Sequence, residues 1–469
     1  MKYLAPGLSA CAAALIVSTP ALAQPAPTRA EMQAELEELR GRVRTLEALV
    51  EQLVGAQAEV ADQAAAANAT AAAAQSAATD AQTAAAEASE AVAAQPRITH
   101  GAATRTRTED GWDFRPFGRL MYDFGYVDAP DAIMDPGLGW SNSLRRGRIG
   151  AQGAIPGGFE YKFEIDFANN DVEVTDALIS YAAGDVEITL GQFNPFQSLE
   201  ELTSSRFSSF IERAAFTDAF GFQRQVGLGV TYTGDDFRWD GGVFTSNLDD
   251  LTSDEANAYG FDTRAAYYPE LADGTQLHFG GSFHWRDLQS QAGARYRQRP
   301  LVATTDTRFI NTGDLPVIEE TRYGLEAAVI SGRFHAVAEG HWLRASLPGM
   351  DDPTFFGGYA EAGVFLTSGD SRGYSGGRFN RTRPARTVDE GGIGAIQFNV
   401  RYDYLDLNDA GVLGGQQNLI AASLIWTPID YARLSLNYGH LEYDDAAIPA
   451  GLNTDYSVDV VGIRAEVDF

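Results

Sequence analysis

Cysteine is all but missing. The chain has one, Cys11, so no disulfide can form within it, and a small stapled scaffold is excluded. Lysine is nearly missing too: only Lys2 and Lys162 occur, and arginine supplies the other positive charges. Against 35 basic side chains stand 64 acidic ones, a formal net charge of −29. That balance argues against nucleic acid as a partner. Beyond the N-terminal region, no apolar run approaches the roughly 20 residues of a membrane-spanning helix. The histidines are His100, His278, His284, His335, His341 and His440, and none has a serine partner at a telling spacing. His335 and His341 share strand parity but stand six residues apart. There is no phosphate-cradling glycine loop and no zinc motif. Neither an enzyme nor a cofactor or metal site is expected.

What is present begins with an address. Lys2, an apolar run from Leu8 to Val17, and Ala21-Leu22-Ala23 before Gln24 predict a secretory signal over 1–23. The alternative is a buried N-terminal helix. Cys11 sits inside the apolar run, as packing in a signal rather than a lipidation site. Loss of 1–23 removes Lys2 alone among the charged groups and takes the net charge from −29 to −30.

The next segment, 30–95, reads as a stalk. Met32, Leu36, Leu39, Val43, Leu46, Val50, Leu53 and Val60 keep a 4,3 spacing, with Gln57 in the one polar core position. A heptad sustained this long predicts an α-helical coiled coil, and hence an oligomer, rather than a surface helix on a globule. From Ala61 to Gln95 the same register falls on alanines, and Val92 closes it. Alanine is the best helix former; the alternative for this tract is a linker. At about 1.5 Å per residue a fully helical 32–95 spans roughly 95 Å. Residues 96–111 are expected to be a linker.

From 112 to 469 the pattern changes to alternation. In FEYKFEIDF, Phe159, Tyr161, Phe163, Ile165 and Phe167 share one face, and Glu160, Lys162, Glu164 and Asp166 share the other. A soluble sheet would turn the charged face to water outside; a membrane barrel would turn it to a wet lumen. An exported, aromatic-rich chain without disulfides fits the second. Sixteen such segments can be counted, an even number. Short turns at 156–158, 234–236 and 428–430 alternate with longer loops at 194–223 and 287–321. The connection 368–393 breaks this rhythm: it should be short, so it either folds into the lumen or the count is off by one. The chain ends in VGIRAEVDF, with Val461, Ile463, Ala465, Val467 and Phe469 on one face. The terminal aromatic reads as the signal recognised by the barrel-insertion machinery of the outer membrane. The predicted fold is therefore all-β: a 16-stranded antiparallel transmembrane β-barrel preceded by an N-terminal α-helical coiled coil, with the stalk in the periplasm.

Four blocks resemble the phosphate-selective porin O and P family. They are LRRGRIGAQG with FEYKFEIDF, GQFNPFQSLEELTSS with FIERA, FLTSGDSRGYSGGRFNRTRP, and IQFNVRYDYLDLND with IWTPIDYARLSLNY. The resemblance runs from about 112 to 469 and implies a homotrimer of 16-stranded barrels, loops folded inward, and an arginine-lined path for small anions such as phosphate. A passive channel needs charges that lower the barrier for one sign of ion without trapping it. Loop 194–223 is the expected constriction. It carries the acids Glu200, Glu201 and Glu212 and the bases Arg206 and Arg213, with Arg224 just beyond. Arg145 and Arg146 match the family's paired basic residues on the second strand, and Arg119 and Arg148 face inward by alternation. Arg213 is expected to pair with Glu200 or Glu201. Relatives also use lysines at the constriction; here Asn194 stands in GQFNPF where many have lysine. An anion-permissive or weakly selective channel is therefore expected, rather than a high-affinity phosphate pore. The alternative is a structural tether between outer membrane and cell wall, with peptidoglycan as the stalk's partner. Outer-membrane lipid and lipopolysaccharide are the expected surroundings of the barrel.

Overall fold

The computed structural model describes residues 28–93, 97–99, 103–252, 258–289 and 293–469. The signal expected over 1–23 lies outside the described residues. The chain divides into two units between Ala93 and Ala94.

The first unit is one helix, α1, Arg29–Ala93. Thr28 starts it: its backbone N–H and its hydroxyl each donate to Glu31 Oε2 at 2.9 Å, which satisfies a donor that the first turn leaves orphaned. The alanine tract continues the helix without a break, as its propensity dictates. Leu36, Leu46 and Leu53 are 51%, 61% and 65% exposed, so among the described residues the apolar stripe is largely uncovered. No described helix is long and apolar enough to cross a membrane.

The second unit is a closed barrel of 16 antiparallel strands. They are β1 (Asp113–Asp128), β2 (Gly139–Ile155), β3 (Phe159–Asp166), β4 (Glu173–Ala183), β5 (Val186–Phe193), β6 (Gln225–Thr233), β7 (Phe237–Phe244) and β8 (Tyr259–Tyr267). The second half comprises β9 (Gln276–Asp287), β10 (Glu319–Ser331), β11 (Phe334–Ser346), β12 (Thr354–Phe365), β13 (Ala395–Asp409), β14 (Val412–Ile429), β15 (Ala432–Asp444) and β16 (Tyr456–Asp468). Each strand pairs with the next, and β16 returns to β1 with Asp468 opposite Arg119 and Ile463 opposite Phe124. Closure leaves no edge, which lipid demands of a spanning sheet.

Which face points inward decides between the two readings of the alternation. On β1, Arg119 and Asp123 are buried at 7% and 1% exposure, while Leu120 and Phe124 stand out at 46% and 47%. On β16, Arg464, Glu466 and Asp468 are buried, and Ile463, Val467 and Phe469 are exposed. The charged face lines the interior and the greasy face the exterior, the arrangement that lipid requires.

Two expectations change in detail. The linker is not wholly irregular: Arg97–Thr99 pairs with Arg105–Arg107, which pairs antiparallel in turn with Asp113 and Phe114 at the start of β1. The reason is Asp113, which is buried and accepts hydrogen bonds from both Arg105 and Arg107, each at 2.9 Å. The long connection after β12 folds into the lumen from the short-turn end, so the strand count stands. Its hairpin, Gly373–Ser375 with Arg378–Asn380, is hooked to the wall. The Tyr374 hydroxyl lies 2.6 Å from His278 Nδ1, and Arg264 Nη2 donates to the Gly377 carbonyl at 3.2 Å.

Two loops enter the lumen from the opposite end, one between β5 and β6 and one between β9 and β10. Their apolar residues, among them Phe210, Ile211, Phe216, Leu301, Val302 and Phe309, form one cluster with Leu343, Phe355, Leu405, Leu441 and Val460 of the wall β11–β16. Gly462 lies under this cluster; a Cβ there would collide with Ile211 and Val302. The packed loops fill the β11–β16 side of the lumen and leave space along β1–β7.

Candidate functional site: a charged constriction in the lumen

Two β-bulges aim charges inward that strict alternation would send to opposite faces. Between β1 and β2, Met121 opposes Arg146 and Tyr122 opposes Leu144, so Arg145 is the extra residue. Arg145 and Arg146 both line the interior as a result. Between β3 and β4, Glu164 opposes Asp176 and Ile165 opposes Val174, which leaves Thr175 and Asp176 both buried.

The loop between β5 and β6 carries two short helices, α2 (Leu199–Leu202) and α3 (Ala215–Ala219). The far wall holds it by its backbone. Glu339 on β11 accepts the Ser198 hydroxyl at 2.8 Å and the N–H groups of Leu199 and Glu200 at 3.0 and 2.7 Å. These are the donors that the start of α2 cannot satisfy itself. Asp403 accepts the Ala215 N–H at 2.9 Å, and Asn437 accepts the Ile211 N–H at 3.0 Å. Ser423 donates to the Ser209 carbonyl at 2.7 Å. A loop tied at this many points is a fixed partition across the lumen.

Four cavities follow one another through the lumen, each sharing lining residues with the next; the first is bounded by β9 and β10, the others lie along β1–β7. The first, of about 670 Å³, lies among Arg286, Arg295, Arg297, Arg299, Arg308 and Arg322 at the long-loop end. It shares Asp218, Gly221, Gln223 and Arg299 with a second, of about 400 Å³. The second shares Arg146, Glu201, Ser205, Arg213 and Arg224 with a third, of about 410 Å³. The third shares Lys162, Leu178 and Glu187 with a fourth, of about 470 Å³, near the short-turn end. The five residues common to the second and third cavities ring the constriction.

Most of the expected residues meet there, and most are paired. Arg119 Nη2 lies 3.1 Å from Glu164, and its Nη1 donates to Ser205 at 3.1 Å. Arg148 reaches Glu164 at 2.9 Å and Asp166 at 2.7 Å. Arg145 pairs with Glu212 at 2.8 Å, and Arg464 approaches the same carboxylate at 3.2 Å. Burial alone would push the Glu212 carboxyl up, but Arg145 together with Arg464 and Arg146 outweighs it and holds the group well below the usual range. Arg224 pairs with Asp176 at 2.8 Å, and Arg206 with Asp468 at 3.0 Å. Arg213 lies 3.3 Å from Glu201 and donates to the carbonyls of Glu200, Glu201 and Thr203 at 2.9–3.0 Å. Burial raises the Glu201 carboxyl above its ordinary value, against the pull of Arg213 and Arg224.

Arg146 differs from all of these. It is 9% exposed, and among the described residues its one polar contact is Nη1 to the Met121 sulfur at 3.9 Å. No carboxylate of the described residues pairs with it, and its Nε has no partner. Glu200 departs from expectation: it turns to the far wall, 3.0 Å from Arg401, and does not line the route. One residue along α2 rotates the side chain by about 100°, so Glu200 and Glu201 part company. Phe469 sits at the β16–β1 seam, where it exchanges backbone hydrogen bonds with Gly118 at 3.0 and 3.1 Å.

Sequence reasoning missed the wall anchors Glu339, Asp403, Asn437 and Arg401. Their inward strand parity was readable, but not that a loop would meet them. It also missed Arg238 and Arg378, which line the third cavity. Arg378 comes from the inward segment after β12 and pairs with no carboxylate of the described residues.

A family model described as phosphate-selective porin O and P matches residues 114–469. An uncharacterized protein of Caulobacter vibrioides is 49% identical over 366 residues, 76% of this chain and 74% of that one. Porin O of Pseudomonas aeruginosa is 26% identical over 347 residues, 67% of this chain and 77% of that one. Among solved structures, the anion-selective porin from Comamonas acidovorans aligns with a TM-score of 0.48 at 12% identity, covering 76% of this chain and 99% of that one.

Proposed function

The chain belongs to the phosphate-selective porin O and P family, and on that premise we propose that this outer-membrane channel passes small anions, phosphate among them, by diffusion past a bare guanidinium. The observation that carries the reading is Arg146. It borders both cavities that meet at the constriction and has no carboxylate partner among the described residues. Arg213 is offset by Glu201, and Arg224 by Asp176, so the ring's surplus charge rests on Arg146. In a narrow lumen that charge is screened far less than in bulk water. Arg378 repeats the arrangement further along. Much of the chain's negative charge lies elsewhere, on α1 and on exposed residues such as Asp351, Asp389, Glu390 and Asp445.

One unpaired guanidinium at the ring, rather than a cluster, lowers the barrier for anions without building a deep well. Arginine can still hold phosphate through two parallel hydrogen bonds. The channel is therefore anion-preferring and permissive. We take the working form to be a homotrimer whose α1 helices project into the periplasm; the heptad pattern of α1 supports this.

The test is the reversal potential of the purified protein in a planar bilayer under a chloride gradient, repeated with phosphate on one side. A potential of anion-selective sign, with phosphate partly blocking chloride current, is the expected result. A cation-selective potential would overturn the reading.

A further inference from the structure

We propose that one halide ion, chloride in saline surroundings, binds in a small pocket beside the ion route, where the inward segment after β12 lies against the constriction loop. The pocket is at the short-turn end. Arg206 lines it from the loop, Arg372, Arg381 and Thr382 from the inward segment, and Gln397 and Arg433 from β13 and β15. Of these only Arg206 also borders the third cavity. The site therefore stands apart from the selectivity proposed above: its ion is held, not passed.

Four guanidiniums meet here with too few counter-charges. Asp468 serves two of them: it lies 3.0 Å from Arg206 and also pairs with Arg381. Arg372 and Arg433 pair with no carboxylate of the described residues. Arg372 donates to the Phe207 carbonyl, and Arg433 to the carbonyls of Arg206 and of Ser208, the latter at 2.7 Å. A carbonyl dipole satisfies a donor and leaves the unit charge in place. Glu466 stands opposite Arg433 in the β15–β16 register without closing to an ion pair, and Glu361 is taken up by Arg401 at 2.8 Å. With Asp430, Glu466 and Asp468 all set against the four guanidiniums, one positive charge is left over.

The Arg372 side chain itself points to a ligand. It is 7% exposed, and its Nε is buried with no hydrogen-bond partner among the described residues. Burial draws its pKa down to about 10, with Glu361 opposing and Arg433 adding to the shift. The Phe379 ring centre lies 4.8 Å from the Arg372 guanidinium carbon, and the Tyr431 ring centre 4.8 Å from that of Arg381. Aromatic faces attract a cation but carry no net charge. An unpaired buried donor and an uncompensated buried charge are both costly, and one small anion relieves both.

Size selects the ion. The pocket measures about 10 Å³, room for a single particle near the size of a water molecule. A water would fill the space without balancing the charge. Phosphate, a tetrahedron of oxygens, does not fit. A halide is one sphere with no directional demands, and it bridges the inward segment to the loop through Arg372 and Arg206. It thereby latches in place the segment that carries Arg378 into the lumen.

The test is hydrogen exchange on the full-length protein in detergent, followed over 203–208 and 370–382. It is run in sodium chloride, bromide, gluconate and phosphate at equal ionic strength. Chloride and bromide should each slow exchange in both segments several-fold relative to gluconate, and phosphate should not. Equal exchange in chloride and gluconate would mean that water alone fills the pocket, and the proposal would fall. Protection by phosphate as well, or loss of the halide response in R146Q, would put the ion in the route and overturn it too. Arg372→Met should abolish the halide response. Thr382→Asp sets a carboxylate on the lining and should give slow exchange without halide. An undiminished halide response in either variant overturns the proposal. Heat-modifiable migration on gels shows whether each variant barrel is folded.

Discussion

Arg145 and Arg146 stand side by side in the sequence, yet Arg145 donates to Glu212 Oε1 at 2.8 Å while Arg146 meets only the Met121 sulfur, at 3.9 Å. The bulge at Arg145 puts both in the lumen, and the loop neutralises just one. R146Q should therefore lower the anion-to-cation permeability ratio by more than about fivefold, since a unit charge at ~4 Å attracts an anion and repels a cation by about 1 kcal/mol each even in water-like surroundings. Reversal potentials of the two proteins decide this. An unchanged ratio would mean that the paired charges set selectivity.

Glu339 holds the constriction loop from across the barrel. Glu339→Ala removes the acceptor for Ser198, Leu199 and Glu200 and should cost the docked loop about 3 kcal/mol, because buried donors lose a charged partner. The wall should survive, since its strands pair through backbone. Larger, noisier single-channel steps and protease cleavage within 194–224 are the expected signs.

Acid should favour anions further. Burial holds the Glu201 carboxyl above its ordinary value, against Arg213, Arg224 and Arg146, with Glu200 adding to the upward shift. In its charged form it offsets Arg213. As pH falls it takes up its proton before an ordinary carboxylate would, and the ring loses its negative charge. Anion selectivity should rise on acidification, beginning above the usual carboxylate range. The E201Q channel should show that higher selectivity at neutral pH and lose this part of the pH dependence; an unaltered profile would rule Glu201 out.

Gly462 gives the loops room to lie against β16. Gly462→Val would drive methyl groups into Ile211 and Val302, an overpacking cost of about 1–3 kcal/mol. Backbone pairing of β16 is untouched, so the loop should yield before the barrel. Higher conductance with unchanged heat-modifiable migration is expected; lost folding would show that the wall gives first.

How much of this was legible in advance varies by element. The alternation of FEYKFEIDF and VGIRAEVDF specified strands and their two faces, because a strand's side chains have period 2 whatever surrounds it. The heptad of α1 was equally local. The inward fold after β12 was open, because its length broke the turn rhythm and nothing within it said where it would go.

The constriction was legible only as a roster. Since alternation alone sends Arg145 and Arg146 to opposite faces, those two could be assigned to the lumen only from the family resemblance, and Arg119 and Arg148 from strand parity. Which of them kept its charge could not, because neutralisation depends on residues far along the chain: Glu164 for Arg119, Glu212 for Arg145. Glu200 and Glu201 looked alike in SLEELTSS, and the rotation of one residue along α2 sent the first to Arg401 and the second to the route. Periodicity, being local, fixed the barrel, its polarity and the helix α1. The electrostatics of the pore arise from contacts between loop and wall, and only the closed barrel, which brings those distant segments within about 3 Å of each other, decided which charge was left bare.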